Sequence, residues 1–339
     1  MKKVIVFPLF LWLFTNAFAQ KDKVSINDFR DQHVLYADFG ISPAPFNITY
    51  PFSSGQDKLQ YKNNFKPILG LAYAHKWFSM RIAFPVGQGA RPSTKFGKSK
   101  QLGVGFDYNY NRLYTDVDLR FVQGYALKDA IDFDTTLIPT QPNYIYPSLN
   151  SLNLALNLWY FNHDDFKVNA LEGKRAHFEK QVHTWYLKGT LNVFGIHNPQ
   201  STLIPNLLAD LSNSKTSANT LSAVDIGIIP GYAYANRIKN WQFSGWAGFG
   251  AIVQSKFYSV PAGTYGHLGL ATRYDIRFVG GYSNASIFLL LAAHFDNKSI
   301  HFNDFKYNQY FYTLRFIAGK RIAPKKSHQG SGHRPKKAG

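Results

Sequence analysis

From residue 30 almost to its end the chain runs in stretches of roughly ten to fifteen residues in which apolar and polar side chains alternate. Leu102, Val104, Phe106, Tyr108 and Tyr110 share one face of such a run; Gln101, Gly103, Gly105, Asp107 and Asn109 share the other. Leu113, Val117, Leu119 and Phe121 oppose Asp116, Asp118 and Arg120, and Leu152, Leu154, Leu156, Leu158 and Tyr160 oppose Asn153, Ala155 and Asn157. Near the end, Leu268, Leu270, Tyr274, Ile276 and Phe278 oppose His267, Gly269, Arg273, Asp275 and Arg277. In the last run Tyr310, Tyr312, Leu314 and Phe316 oppose Gln309, Thr313 and Arg315. Period two places successive side chains on opposite faces of a strand, and these runs exceed the usual strand of about five or six residues. One apolar and one polar face, repeated this often, fits a sheet closed on itself with lipid outside and a polar lumen inside.

The N-terminus places that sheet. Lys2 and Lys3 precede an apolar run, Val4 to Phe14, which ends near the small-residue site Ala17-Phe18-Ala19. That order describes a secretory signal peptide over 1–19, because the apolar run is too short to span a bilayer. The mature chain is expected to begin near Gln20. The longest later apolar stretch, Ile287 to Phe295, is about half of what a spanning helix needs. An exported chain without a spanning helix can still cross a membrane as a closed barrel, where every backbone group is paired.

Composition agrees. Aromatics make up 17% of the chain and charged residues also 17%, against about 25% charged in soluble domains. There is no Cys, which excludes disulfide scaffolds, Cys-based metal sites and a lipidated N-terminal Cys. The net charge of +18 would point to nucleic acid in a cytoplasmic protein; export argues against that partner. Lys325, Lys326, Arg334, Lys336 and Lys337 lie in a Gly- and Pro-containing stretch, 323–339, expected to be a disordered basic arm.

Strands are expected near 33–41, 67–75, 77–86, 99–110, 112–125, 148–162, 181–195, 221–236, 240–254, 265–280, 283–297 and 307–322. Long connections then fall at 42–66, 87–98, 126–147, 196–220, 255–264 and 298–306, and short ones between them. Alternation of long outer loops with short inner turns is what an outer-membrane barrel shows. The one misfit is 163–180, long where a short turn belongs; it extends the flanking strands, carries a bulge, or folds inward as a plug. The fold class is therefore all-β: a transmembrane antiparallel up-and-down β-barrel of about twelve strands over 20–322. Trp77, Phe78, Tyr110, Tyr114, Tyr160, Phe161, Trp241, Tyr310 and Tyr312 near strand ends are candidates for interfacial girdles.

Three stretches carry a family resemblance: Lys98-Ser99-Lys100 with the strand pair to Gly124-Tyr125; Leu149 to Tyr160 with the segments 161–170 and 179–191; and residues 228–250. Their order and spacing resemble the uncharacterised outer-membrane barrels of Bacteroidota numbered as domain-of-unknown-function family 4421. Lys180 to Thr184 departs from the Lys/Ser/Gly-rich pattern expected there. The resemblance implies the barrel and carries no activity.

Acyl-transfer chemistry needs a Ser nucleophile beside a His base. No His-x-Ser occurs; Ser299 and His301 fall in the expected loop 298–306, and His183 and Thr184 point to opposite faces. His294 and Asp296 share an inward face and are the one pair available to the alternative reading, an outer-membrane lipid acyl hydrolase. Asp132 and Asp134 are a weak candidate for a hard cation, no His spacing marks a metal site, and no cofactor is expected. The inward charges say more: Asp107, Asp116, Asp118, Arg120, Lys188, Arg273, Asp275, Arg277 and Arg315 all fall on the polar face. Charges there must be paired or hydrated. Inward Gly103, Gly105, Gly227, Gly231, Gly248, Gly250 and Gly269 beside Trp246, Phe288 and Leu290 point to a packed or constricted lumen. The expected role is non-enzymatic, porin-like passage or binding of a small, anionic solute, or a structural role in the envelope. The expected partners are outer-membrane lipid and the barrel-assembly machinery. A secreted soluble β-sandwich is the remaining rival.

Overall fold

The computed structural model describes residues 24–324, apart from 53–54, 111–112 and 164–165; the expected signal peptide 1–19 and almost all of the expected tail 323–339 lie outside the described residues. The strands are β1 Ile26–Asp28, β2 His33–Ile41, β3 Phe46–Thr49, β4 Lys58–Asn63, β5 Ile68–His75, β6 Phe78–Pro85, β7 Lys100–Tyr110, β8 Leu113–Leu127, β9 Tyr144–Phe161, β10 Ala176–Phe178, β11 Val182–His197, β12 Thr220–Ile238, β13 Trp241–Val260, β14 Gly263–Ser283, β15 Ile287–His301 and β16 Lys306–Ile322. Two one-turn helices, α1 Ser93–Phe96 and α2 Val168–Glu172, join them. Among the described residues no helix is long and apolar enough to cross a membrane.

Antiparallel ladders run β2–β5–β6–β7–β8–β9–β11–β12–β13–β14–β15–β16, and β16 returns to β2, so twelve strands close a ring with no free edge along its full circuit. The alternating faces follow the expected sense. Leu152, Leu154, Leu156 and Leu158 on β9 are exposed on the outside, while Asn153, Ala155 and Asn157 are buried inside. In water such a leucine row would be costly, at about 25 cal/mol per Å² of apolar surface; in lipid it is not. Aromatic rings bracket the band. Trp241 meets Tyr282 edge-on at one rim (6.1 Å), and Tyr274, Phe295 and Tyr310 stack across three strands toward the other (5.6 and 6.4 Å). Tyr274 and Tyr282 share β14; at about 3.4 Å per residue and a tilt of about 40° they lie roughly 20 Å apart along the barrel axis, close to the ~25 Å apolar band of such barrels.

Strand placement matches the sequence reading within a few residues, with corrections at the rims. The expected loop 255–264 is mostly strand, because β13 and β14 continue to a tight turn at Pro261–Ala262; likewise β15 and β16 run into 298–306 and leave only 302–305 as loop. Ser299 and His301 are therefore strand residues. The expected loop 42–66 folds as a hairpin, β3–β4, that spans the ring above the four shortest wall strands: β3 pairs with the start of β16, and β4 with the end of β8. Gly124 makes this exchange possible. It is a bulge at φ +91°, sitting where β8 leaves β7 and takes up β4, and a Cβ there would lie 2.3 Å from the Lys98 carbonyl oxygen.

Candidate functional site

Both rims of the lumen are filled by apolar packing. At the long-loop rim the hairpin β3–β4 and loop 198–219 bring together a buried cluster including Phe46, Ile48, Tyr61, Tyr125, Phe194, Leu203, Ile204 and Tyr307. Phe46 stacks on Tyr61 at 4.5 Å, Tyr61 donates to the Leu203 carbonyl, and Tyr125 shares a hydrogen bond of 2.7 Å with Ser151.

At the short-turn rim the segment 163–180 turns into the lumen, which settles the misfit: it is an inward-folded plug. Phe166, Val168, Leu171 and Phe178 pack against Trp159, Phe161, Tyr186 and Phe288 of the wall. β10 pairs with β1, so the N-terminal strand is part of the same plug. A one-turn helix leaves its last carbonyls without intrahelical donors, and the wall supplies them. Gln242 Nε2 donates to Ala170 O (2.5 Å), Ser244 Oγ to Leu171 O (2.5 Å), Ser283 Oγ to Gly173 O (3.0 Å), and Arg321 to the carbonyls of Gly173 (2.7 Å) and Lys174 (2.8 Å). Gly173 ends α2 at φ +66°. Within the plug, burial and the nearby Arg237 and Arg321 cations push the His177 imidazole down to about 4.

Between these two fillings lies a layer of charge. Lys188 Nζ is 2.5 Å from Asp275, and Arg277 reaches both Asp275 (3.0 Å) and Asp116 (3.3 Å). Asp116 also accepts from Trp159 Nε1 at 2.9 Å, and the Arg277 and Lys188 cations lie over the Trp159 ring at 5.0 and 4.8 Å. Arg120 pairs with Asp118 (2.6 Å), and Arg273 with Asp225 (2.5 Å), a pair with almost no exposed surface. Asp107 accepts from Arg175 of the plug. Of the nine inward residues named from the sequence, eight thus have ion-pair partners; Arg315 has none, and its Nε is buried without a hydrogen bond.

The partners that sequence reasoning missed are instructive. Asp38, which takes both forks of Arg81 (2.6 Å each), sits on the polar face of β2 and was accessible to the same period-two logic. Asp225 likewise alternates inward on β12. Glu172, Lys174 and Arg175 were not, because they belong to the plug, whose path no periodicity marks. His294 and Asp296 do not form the expected pair: His294 Nε2 lies 3.7 Å from Asp275, while Asp296 is taken by Lys298 at 2.9 Å. Asp134 is engaged by Thr136 and Tyr144, whose hydrogen bonds hold its carboxyl below the usual carboxylate range. Among the described residues no group of three or more His, Asp or Glu side chains is placed to hold a metal.

The lumen glycines divide into two kinds. The Tyr186 ring lies across Gly231 and Gly248, where a Cβ would come within 2.2 and 2.8 Å of it, and Ile252 crowds Gly227. Gly103 and Gly105 are uncrowded instead: a Cβ would meet only the Ala83 Cβ at 3.6 Å and the Val117 carbonyl oxygen at 3.9 Å. There the lumen keeps a chamber of about 140 Å³, bounded by Arg81, Arg120, Arg277, Arg315, Asp118 and Glu172 among others.

A family model described as a domain of unknown function (DUF4421) matches residues 20–321. No curated protein matches the chain. Similar solved structures include the outer membrane protease OmpT from Escherichia coli, 9% identical, covering 89% of this chain and 99% of that one at a TM-score of 0.39. The translocator domain of the autotransporter NalP from Neisseria meningitidis is 9% identical over 93% and 94% of the two chains, with a TM-score of 0.34. The Pseudomonas putida toluene transporter TodX is 7% identical over 87% and 90%, with a TM-score of 0.29. Similarity this low carries no inference about activity or ligand, and the barrel stands on its own ladders.

Proposed function

Since the chain belongs to the domain-of-unknown-function family DUF4421, whose description names no activity, we propose a role from the lumen: an integral outer-membrane barrel that retains a small solute in a closed interior instead of conducting through an open pore. The observation that carries this reading is the double filling of the lumen, by the plug at one rim and the aromatic cluster at the other. The paired charges between them support it. A conducting pore keeps its charges hydrated, whereas here carboxylates and cations join strands that are not adjacent in the ring, β11 to β14 and β14 to β8, and tie the plug to the wall. Export through a cleaved signal peptide, insertion by the barrel-assembly machinery of a Bacteroidota envelope, and contact of the basic tail with anionic headgroups belong to the same proposal. In that setting the short-turn rim and the plug face the periplasm.

Reconstitution into planar bilayers tests it. Protein first shown to be folded by heat-modifiable migration is expected to give no steady open level. A steady, ohmic conductance from the unmodified chain contradicts the closed lumen.

A further inference from the structure

Within this lumen we propose that the chamber beside Arg315 binds one small oxyanion, a carboxylate or a phosphate group, through the Arg315 guanidinium. The inference deepens the solute-retaining role and relies on it for how the ligand is kept, though not for the contact itself.

Arg315 differs from every other cation around it. Arg81 is held by both oxygens of Asp38, Arg120 by Asp118, Arg277 by Asp275 and Asp116, and Lys174 by Glu172. Arg315 lines the same chamber, has no ion pair, and its Nε is buried without an acceptor. A guanidinium withdrawn from bulk water is costly unless an anion or a polar acceptor meets it. Asp38 gives both of its oxygens to Arg81 and Asp118 both of its oxygens to Arg120, and neither is paired with Arg315. The lining carries five cations against four acids, and adding the partners Asp38, Arg175, Asp275 and Lys188 leaves the excess at one. That single uncompensated charge is Arg315.

The space also fits. Arg315 stands in register with Gly40 on β2, which has no side chain to cover it, and Gly103 and Gly105 on β7 line the same chamber. A Cβ on Gly105 would find only the Val117 carbonyl oxygen, at 3.9 Å. The resulting volume of about 140 Å³ has room for a few waters or for one acetate- or phosphate-sized ion. The guanidinium fork matches the planar or tetrahedral oxygens of such a group. A cation is disfavoured there, because the acids are already engaged.

The test uses the full-length barrel refolded into detergent with inorganic phosphate, with acetate, or with chloride at equal ionic strength, so that access to the chamber is not limiting. A ligand bound only by the folded state raises its unfolding temperature in a saturable way. Phosphate or acetate is expected to do so beyond chloride, and whichever of the two saturates at the lower concentration names the group. Arg315→Gln is expected to weaken the apparent affinity at least tenfold, and so is Gly105→Val, which fills the chamber and leaves every ion pair in place. Lys320→Gln, on the outer surface, is expected to bind like the parent. Absence of any oxyanion effect in the parent means the chamber holds water alone and overturns the proposal; undiminished binding in either variant that folds overturns it as well, and if Arg315→Gln does not fold, Gly105→Val decides. Oxyanion binding together with a steady bilayer conductance overturns the closed lumen and leaves the site; a closed lumen without oxyanion binding does the reverse.

Discussion

Asp225 and Arg273 show what a residue pair contributes in this lumen. Both are almost completely buried, Arg273 also donates to Ser299, and Gln254 donates to the second oxygen of Asp225 at 2.8 Å. Removing one partner leaves a buried, uncompensated charge. Asp225→Ala is therefore expected to cost about 3–5 kcal/mol, read as a lower urea midpoint, whereas Asp225→Leu with Arg273→Met recovers most of that loss because the desolvation cost disappears with the charge. A single variant as stable as the parent would show that the pair is hydrated. Gly124 supplies a second test. Gly124→Ala meets both an unfavourable φ and the Lys98 carbonyl, and is expected to destabilise the barrel by about 1–3 kcal/mol; an unchanged midpoint would mean that the bulge relaxes freely. At this scale the inward direction of Arg273, Asp275 and Arg315 was legible from period two alone. Which of the inward charges meet was not, because Asp225 and Arg273 are 48 residues apart in sequence and pair only once the register of β12, β13 and β14 is set.

Elements were legible where one face meets lipid and the other meets the lumen. The twelve wall strands announce themselves through that contrast. β3 and β4 do not: Phe46 and Ile48, and Leu59 and Tyr61, alternate inward as well, but over only four and six residues, and the stretch reads as loop. The plug is hidden for a related reason: a one-turn helix and a three-residue strand are too short for any period, and their stability comes from the wall. His177 gives the plug a pH response with a definite sign. In the undocked chain its imidazole titrates near 6.5; docked, it is held at about 4 by burial and by Arg237 and Arg321. Between those values the undocked state binds more protons, so docking weakens as pH falls from about 6.5 to about 4 and is unaffected by this group above 6.5. Limited proteolysis of 163–180 in folded, detergent-solubilised protein is expected to accelerate across that window. His177→Gln is expected to flatten the part of the response above pH 5, where carboxylates contribute little. A pH-independent cleavage rate in the parent would show that the segment is not docked as described.

For the whole molecule, the closed ring follows from the alternation: an apolar outer face on every strand leaves no stable open edge in lipid, so the last strand must return to the first. The sequence carried the strand count, the side-chain directions and the class of the fold. It did not carry what fills the lumen, because filling is decided by contacts among the hairpin β3–β4, loop 198–219 and the plug, each far from its neighbours along the chain. A lipid-facing outside with a filled inside makes a joint claim that one measurement can address. The chain has no Cys, so single cysteines can be placed along β9 at 152–158 and spin-labelled in liposomes. The Leu152, Leu154, Leu156 and Leu158 positions are expected to be accessible to oxygen dissolved in lipid, and the Asn153, Ala155 and Asn157 positions to be shielded both from oxygen and from a water-soluble nickel complex. Access of the nickel complex to the odd positions would contradict the filled lumen, and its access to the even positions would contradict the membrane barrel itself.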